Sequence, residues 1–511
     1  MVYIPAFLIN KVYEKGSLEN TGEGFRFCFL NTMTPVRISG MRDVLLEVDG
    51  DRYPVERVRM ALGGRPVTLE PGAPGEMVEF GKGTRLSVDV LGDGLEAGRH
   101  TIKISFITNE YGGATLKVVD AIPGGKPPSL VGRIAGRISH DDEAGGSLPA
   151  GPVTAEGELG GVPLDPDFTR LAAALRREEP DRVPLFEADI ALPVQEWFLG
   201  REITETRDEV EFFIRAGYDY VPVLAPFFAP RLMRTASREG VQAGDCEGGR
   251  TWLVESEGLI KSLEDAEEFP WPRAGDVDFS SFEEVAGMLP PGMKTIGMLS
   301  PAAVFGNVSQ SMGLENFSYA IYDDLPLVER LFEIVGSTYV EIARRMVEAP
   351  GLGAVLMSDD LAHTGGCLVS PAVYRTYVFP FYRRIGDILE AAGLPFIFHS
   401  DGDITEVLDD LSDCGIKAIH PIEPQAMDIV EVKKRFGDRF CIFGNIDLDH
   451  TLTRGSVPEV VEQVKERIRV LAPGGGYGLS ASNSIPDYVK PENYRAMVET
   501  AFRYGRYPIS V

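Results

Sequence analysis

Cysteine is scarce in this chain of 511 residues: there are five, at positions 28, 246, 367, 414 and 441, with no CxxC pair among them. An odd, scattered set excludes a disulfide framework and a paired-cysteine metal or redox motif, and fits a reducing compartment. Positive charge is also short, with 50 Lys and Arg against 77 Asp and Glu and a formal net charge of −27. Such a surface repels nucleic acid and anionic membrane, so neither is expected as a partner. No apolar run approaches the ~18 residues of a membrane-spanning helix. The opening residues lack a basic segment followed by a long apolar stretch, so no signal peptide is expected. No glycine-rich phosphate cradle follows any candidate strand. These absences together point to a cytoplasmic protein.

What is present has two kinds of grammar. Roughly the first 125 residues alternate apolar and polar, as in "TRLSVDVLGDGLEAGRHTIKISFI". Asp49-Gly50 and Asp93-Gly94 sit between such runs as hairpin signals. Residues 1–136 are therefore expected to form an antiparallel β-sandwich. Residues 137–165 are rich in Gly, Pro and acids, which is linker composition. From 166 to 511, strands alternate with amphipathic helices. The strands are expected at 183–189, 218–224, 295–300, 353–360, 395–402, 418–423, 440–447 and 476–483, with an extra hairpin around 248–262. Eight strand–helix units in this length predict a (β/α)8 TIM barrel.

These strands share an apolar body and a polar C-terminal end. Glu187 and Asp189 end the first, and Asp359 and Asp360 the fourth. His399, Asp401 and Asp403 end the fifth, in "FIFHSDGDI". His420 and Glu423 end the sixth, Asn445 and Asp447 the seventh, and Ser480, Ser482 and Asn483 the eighth. In a barrel these ends converge on one face around a single cavity. His399 and Asp401, at i and i+2, point to the same side and form the leading catalytic pair, with Glu187 and Asp360. Asp189, His420, Glu423, Asn445, Asp447, Ser482 and Asn483 are expected to line the substrate site. Some of these positions have a plainer reading. Asp359, Asp403 and Asp447 follow strands where carboxylates often cap the next turn. Cys367, Cys414 and Cys441 read as small buried apolar groups.

The barrel half resembles the uroporphyrinogen decarboxylase superfamily, which includes cobalamin-dependent methyltransferases. The resemblance is carried by "SDDLAHTGGCLVSPAVYRTYVFPFYRRI", "FIFHSDGDI", "HPIEP", "GNIDLDHTL" and "GGGYGLSASNSIPDYVKPENYRAM". It implies the same barrel. Porphyrinogen decarboxylases of this superfamily carry an arginine-rich segment after the first strand. Here that segment is "EADIALPVQ", whose carboxylates would repel a polycarboxylate. In the methyltransferases a His-x-Cys pair and a later Cys hold zinc. His399 matches the histidine, but Asp401 and Asn483 stand at the cysteine positions. The resemblance thus implies a metal site, His399 with Asp401, of harder donors than zinc–thiolate chemistry uses. At the N-terminal end, "IPAFLINKVYEKGSLENTGEGFRFCFLNTMTP" resembles the β-subunit of bacterial C-glycoside deglycosidases and implies an accessory domain.

The resulting expectation is a corrinoid-dependent methyltransferase. It would pass a methyl group from a small methoxylated or methylated compound to a separate corrinoid protein, with a homodimer left open. The sequence demands no tightly bound cofactor; a divalent metal such as zinc fits, and the corrinoid belongs to the partner. The alternatives are a lyase or decarboxylase acting on a small carboxylated or glycosylated aromatic by His/Asp acid–base chemistry, and a non-catalytic binding protein on a degenerate barrel.

Overall fold

The computed structural model describes residues 2–3, 13–14, 16–30, 36–38, 42–67, 78–80, 84–108, 112–122, 152–225, 233–237, 251–299 and 302–510. The N-terminal part contains two five-stranded sheets. One is built around Arg42–Val48, Gly98–Thr108 and Gly112–Ile122, the other around Gly24–Leu30, Val58–Leu62 and Arg85–Leu91. Their ladders are antiparallel apart from the short pairing of Val2–Tyr3 with Gly112–Ile122. The period-2 pattern buries alternate residues, so Phe25, Phe27, Val88 and Val90 of one sheet share an apolar cluster with Leu46, Val48, Ile102 and Ile104 of the other.

The two Asp-Gly signals meet different fates. Asp49 and Gly50 have φ of 52° and 92° and close a hairpin in which Val48 pairs with Asp51. Asp93-Gly94 does not make a hairpin. Arg85–Leu91 and Gly98–Thr108 lie in different sheets, so this connection crosses between them. Asn20 holds it there, donating to the Leu95 carbonyl at 2.8 Å and accepting from the Leu95 amide at 2.7 Å. Strand alternation carries no information about which sheet a strand joins.

The expected linker is also shorter than its composition suggests. Residues 137–151 lie outside the described residues, but 152–165 are part of the following fold. Glu158–Leu159 pairs with Val162–Pro163, and Val153, Leu159 and Leu164 join the large apolar cluster of the C-terminal part.

That C-terminal part is an α/β structure on a seven-stranded sheet. Its strands are Tyr220–Leu224, Lys294–Leu299, Leu352–Ser358, Phe396–His399, Ile416–His420, Cys441–Phe443 and Tyr477–Gly478. They are neighbours in chain order, and every pair is parallel. The sheet curls as in a TIM-like barrel. Long helices such as Leu325–Met346 and Val457–Leu471 bury one apolar stripe each against it. The additional hairpin is present, with Met233–Ser237 antiparallel to Thr251–Gly258.

The expected first strand is held differently from the rest. It meets the far edge of the sheet by isolated parallel bridges, Leu185 with Leu479 and Ile190 with Ile485. On its other side a side chain stands in for a ladder. The Tyr220 hydroxyl accepts from the Glu187 amide and donates to the Glu187 carbonyl, both at 2.7 Å. Inside the curl, Phe186 stacks on Phe443 with centroids 4.2 Å apart, and the His420 ring meets Phe186 edge-on at 5.2 Å. Gly478 is needed beside them: a Cβ there would fall 2.6 Å from the Phe443 ring. No helix among the described residues is long and apolar enough to cross a membrane.

At the N-terminal ends of the first strands, Arg170 is buried among three carboxylates. It reaches Asp181 at 2.6 Å, Asp165 at 2.8 Å and Asp219 at 3.1 Å. This guanidinium ties the helix Phe168–Leu175 to the residues just before the first two strands. Replacing it strands a buried Asp219 carboxylate, and losing one partner of a buried pair typically costs about 3–5 kcal/mol. Arg170→Met is therefore expected to lower stability by about that much in denaturant titration. A change under about 1 kcal/mol would mean that the cluster behaves as a solvated surface pair.

Candidate functional site

Register builds the site. Ser358 pairs with His399, and His399 with His420, so three neighbouring parallel strands end at one level. The residues that follow, Asp359 with Asp360 and Ser400 with Asp401, leave the sheet together at its C-terminal edge. Gly402 makes the turn possible. Its φ is +80°, and a Cβ would come within 2.5 Å of the Ala362 backbone.

His399 and Asp401 do meet, as the i, i+2 spacing predicts. His399 Nε2 lies 3.5 Å from Asp401 Oδ1 and 4.0 Å from Asp360 Oδ1. The Asp401 amide donates to Asp360 Oδ1 at 3.1 Å, and Asn483 Nδ2 donates to both Asp401 oxygens at 2.9 and 3.0 Å. Asp360, His399 and Asp401 offer three ligand atoms within 4.8 Å of one another. One imidazole nitrogen and two carboxylates form a donor set suited to a divalent cation. Glu423 joins from the sixth strand by accepting from the Gly402 amide at 2.8 Å.

Behind His399 runs a buried chain. His399 Nδ1 is 2.7 Å from His420 Nδ1, and His420 Nε2 is 2.8 Å from Ser480 Oγ. His420 is fully buried, and burial followed by repulsion from His399 pushes its imidazole well below the ordinary value. It is thus a neutral ring inside the fold. Its partners join three strands, a contact that no local spacing announces.

Burial also sets the carboxylates. Desolvation pushes Asp401 up to about 6; His399 and Asn483 oppose the rise, and Asp360 and Glu423 add to it. Asp189 reaches about 6 through desolvation, although its side chain is solvent-accessible. Accessibility combined with dense surroundings describes a group on the wall of a concavity. Glu187 is 1% exposed, and burial raises it well above the usual carboxylate range. Its Oε1 accepts from the Ala481 amide at 2.7 Å. Ser480 is near enough to temper the rise, yet Oε2 has no partner at hydrogen-bonding geometry. Burial thus favours its protonated form.

Other strand-end residues serve the scaffold. Asn445 donates to the Ile422 carbonyl at 2.7 Å and accepts from Arg467 at 2.9 Å. Asp447 caps the turn Leu448–Leu452 by accepting from the Asp449 and His450 amides. Ser482 accepts from the Leu448 amide at 2.9 Å, and Asp403 caps the turn at Thr405. The polar atoms of Asn445, Asp447 and Ser482 are thus directed to backbone and neighbours, whereas His399, Asp401, Asp360 and Asn483 gather around one point. Cys414 and Cys441 are buried and both are pushed up to about 12 by desolvation, as expected of structural thiols.

With this geometry in place, comparison with known proteins is informative. Residues 279–504 match the family model described as uroporphyrinogen decarboxylase. The match covers less than half of the chain. The matched segment contains Asp360, His399, Asp401, His420 and Asn483, while Glu187 and Asp189 precede it. A methylcobamide:CoM methyltransferase, MtaA, of Methanosarcina barkeri is 26% identical over 208 residues, 41% of this chain and 57% of that protein. A uroporphyrinogen decarboxylase of Chlorobaculum tepidum is 26% identical over 198 residues, 37% of this chain and 53% of that one. The chain therefore spans little more than half the length of these curated relatives, both of which are enzymes. A solved methyltransferase from Methanosarcina mazei covers 66% of this chain and 98% of its own at 19% identity, with a TM-score of 0.48. Residues 8–123 match a model described as the N-terminal domain of hydroxymethylglutaryl-CoA reductase, a different family from the deglycosidase β-subunit that the sequence resembles.

Asp359 separates structure from chemistry at the same strand end. It is fully buried and accepts from the Val304, Phe305 and Gly306 amides, each at 2.7 Å, and from the Tyr382 hydroxyl at 2.6 Å. Asp359→Ala leaves those buried donors unpaired and should lower stability by about 3 kcal/mol or more, at about 1–3 kcal/mol per orphaned group. An Asp359→Ala protein with unchanged unfolding would contradict this assignment.

Proposed function

We propose that the chain is a corrinoid-dependent methyltransferase that moves a methyl group from a small methoxylated or methylated compound to a separate corrinoid protein. The observation that carries this reading is the Asp360–His399–Asp401 cluster, set at strand ends inside the segment that matches the uroporphyrinogen decarboxylase model, in a chain similar over 208 residues to a methylcobamide methyltransferase. We take the curled sheet as a closed (β/α)8 barrel with residues 183–190 as its first strand. The N-terminal sheets are taken as a β-sandwich accessory domain.

The cluster presents nitrogen and oxygen donors only, and Asn483 pins both oxygens of Asp401 from the side. These residues fit a divalent cation, zinc included. They do not reproduce a thiolate site, because Asp401 and Asn483 occupy the positions of its cysteines. A bound divalent ion would act as a Lewis acid on the donor's oxygen. The protein's own groups supply the remaining chemistry. As the carbon–oxygen bond of a methyl ether breaks, the methyl group passes to the partner's reduced cobalt, and the departing alkoxide takes a proton. Glu187, whose burial favours the protonated form and whose Oε2 lacks a well-formed hydrogen bond, would supply that proton. Asp189 and Glu423 complete an acidic wall that disfavours polycarboxylated substrates. No nucleophile of this chain is required, in keeping with the buried thiols of Cys414 and Cys441.

The test is incubation of the full chain with a methoxylated aromatic and a reduced corrinoid protein, following methyl-cobalt formation by absorbance. The wild type should turn over. His399→Ala and Asp401→Asn should each lose about 10²-fold or more, and the double variant little beyond either, because members of one catalytic unit are not additive. A fully active Asp401→Asn protein would remove Asp401 from the chemistry. Release of carbon dioxide or cleavage without methyl transfer would replace this reading with a lyase.

A further inference from the structure

His420 lies between two partners, 2.7 Å from His399 Nδ1 and 2.8 Å from Ser480 Oγ. A chain of this kind has two possible directions. Either His420 donates from Nε2 to the serine and receives from His399 Nδ1, or every proton is reversed. The serine decides between them. Its single hydroxyl hydrogen has acceptors other than His420, the Ala481 carbonyl at 3.0 Å and the neighbouring Glu187 carboxyl, which leaves its oxygen to accept from His420.

The other end of the chain agrees. His399 Nε2 is 3.5 and 4.0 Å from the Asp401 and Asp360 oxygens, longer than the about 2.7–3.2 Å of a well-formed N–H···O bond. A proton on Nε2 would have no well-placed acceptor. Donors that share one ion at about 2.0–2.2 Å stand about 3.4 Å apart when the angles are tetrahedral, which is near the spacing to Asp401.

We infer that His420 and Ser480 are positioning residues that hold His399 with its proton on Nδ1, so that the Nε2 lone pair faces the opening between Asp360 and Asp401. Neither residue touches a ligand; each acts through His399. A second histidine and a serine thereby do what a carboxylate or backbone carbonyl does behind many metal-binding imidazoles. The direction of the chain stands on hydrogen bonds alone. Its meaning for a bound cation rests on the reading proposed above.

Long-range proton–nitrogen spectra of the full chain carrying ¹⁵N-histidine test this directly, without any methyl transfer. There are six histidines to resolve, and the His399→Ala and His420→Asn spectra assign the two of interest. In metal-free and zinc-loaded protein alike, His399 should carry its proton on Nδ1, and His420 should carry one on Nε2 with Nδ1 bare. A bare Nδ1 on His399 would overturn the inference. Zinc titration gives a second readout. His420→Leu should weaken binding about 10–100-fold, the usual loss when an outer partner is removed. His420→Asn, whose Oδ1 can accept where Nδ1 did, should restore it to within a few-fold. A folded His420→Leu protein with wild-type zinc affinity would also overturn it. If the predicted tautomers were found but zinc did not bind, the cation site would fall and the tautomer assignment would survive.

Discussion

Ser358, His399 and His420 stand side by side because three neighbouring parallel strands share one register. Side chains alternate across a strand, so a slip of one residue in the middle strand would turn His399 outward and bring a phenylalanine or serine into its place. The floor beneath fixes that register. Phe186 stacked on Phe443, with His420 edge-on to Phe186, is an apolar layer that tolerates no shift without a cavity or a clash. The polar groups above the layer are therefore held by packing before any of them binds anything.

The same layer explains the electrostatics. Burial favours the neutral forms of Glu187 and His420, and desolvation raises Asp189 and Asp401 to about 6. Asp360, Asp401 and Glu423 are like charges converging on one opening, and little in their surroundings offsets them besides His399 and the amides they accept from. Such an arrangement is costly in isolation, and a bound cation would relieve it. A chain with net charge −27 keeps these carboxylates together at one strand edge, where the backbone amides of Asp401 and Gly402 are already turned toward them.

Much of this was legible in the sequence, because a buried parallel strand reads as an apolar run and its exit as a polar one. His399 with Asp401 could be read from spacing alone. Asp360 reads as a site residue and Asp359 as a cap, and the fold supplies the physical reason. Adjacent residues point to opposite sides, and only the fold shows that Asp359 turns to the amides at the start of Phe305–Met312 while Asp360 turns to the opening. Asn445, Asp447 and Ser482 looked like site residues for the same reason that they became scaffold: a chain leaving a strand needs partners for its free amides. His420 carried no local sign of its place between His399 and Ser480, since its partners are 21 and 60 residues away. Composition misjudged residues 152–165, where a few apolar side chains suffice to anchor a glycine-rich segment, and Asp93-Gly94, where a turn signal marks a crossing between sheets.

The central claim is that Asp360, His399 and Asp401 at the strand ends form a cation site of nitrogen and oxygen donors. X-ray absorption at the zinc edge on the zinc-loaded full chain measures this most directly. The account predicts one zinc per chain with a first shell of nitrogen and oxygen at about 2.0–2.2 Å, lost in His399→Ala. A sulfur shell at about 2.3 Å, or zinc retained unchanged in His399→Ala, would contradict it.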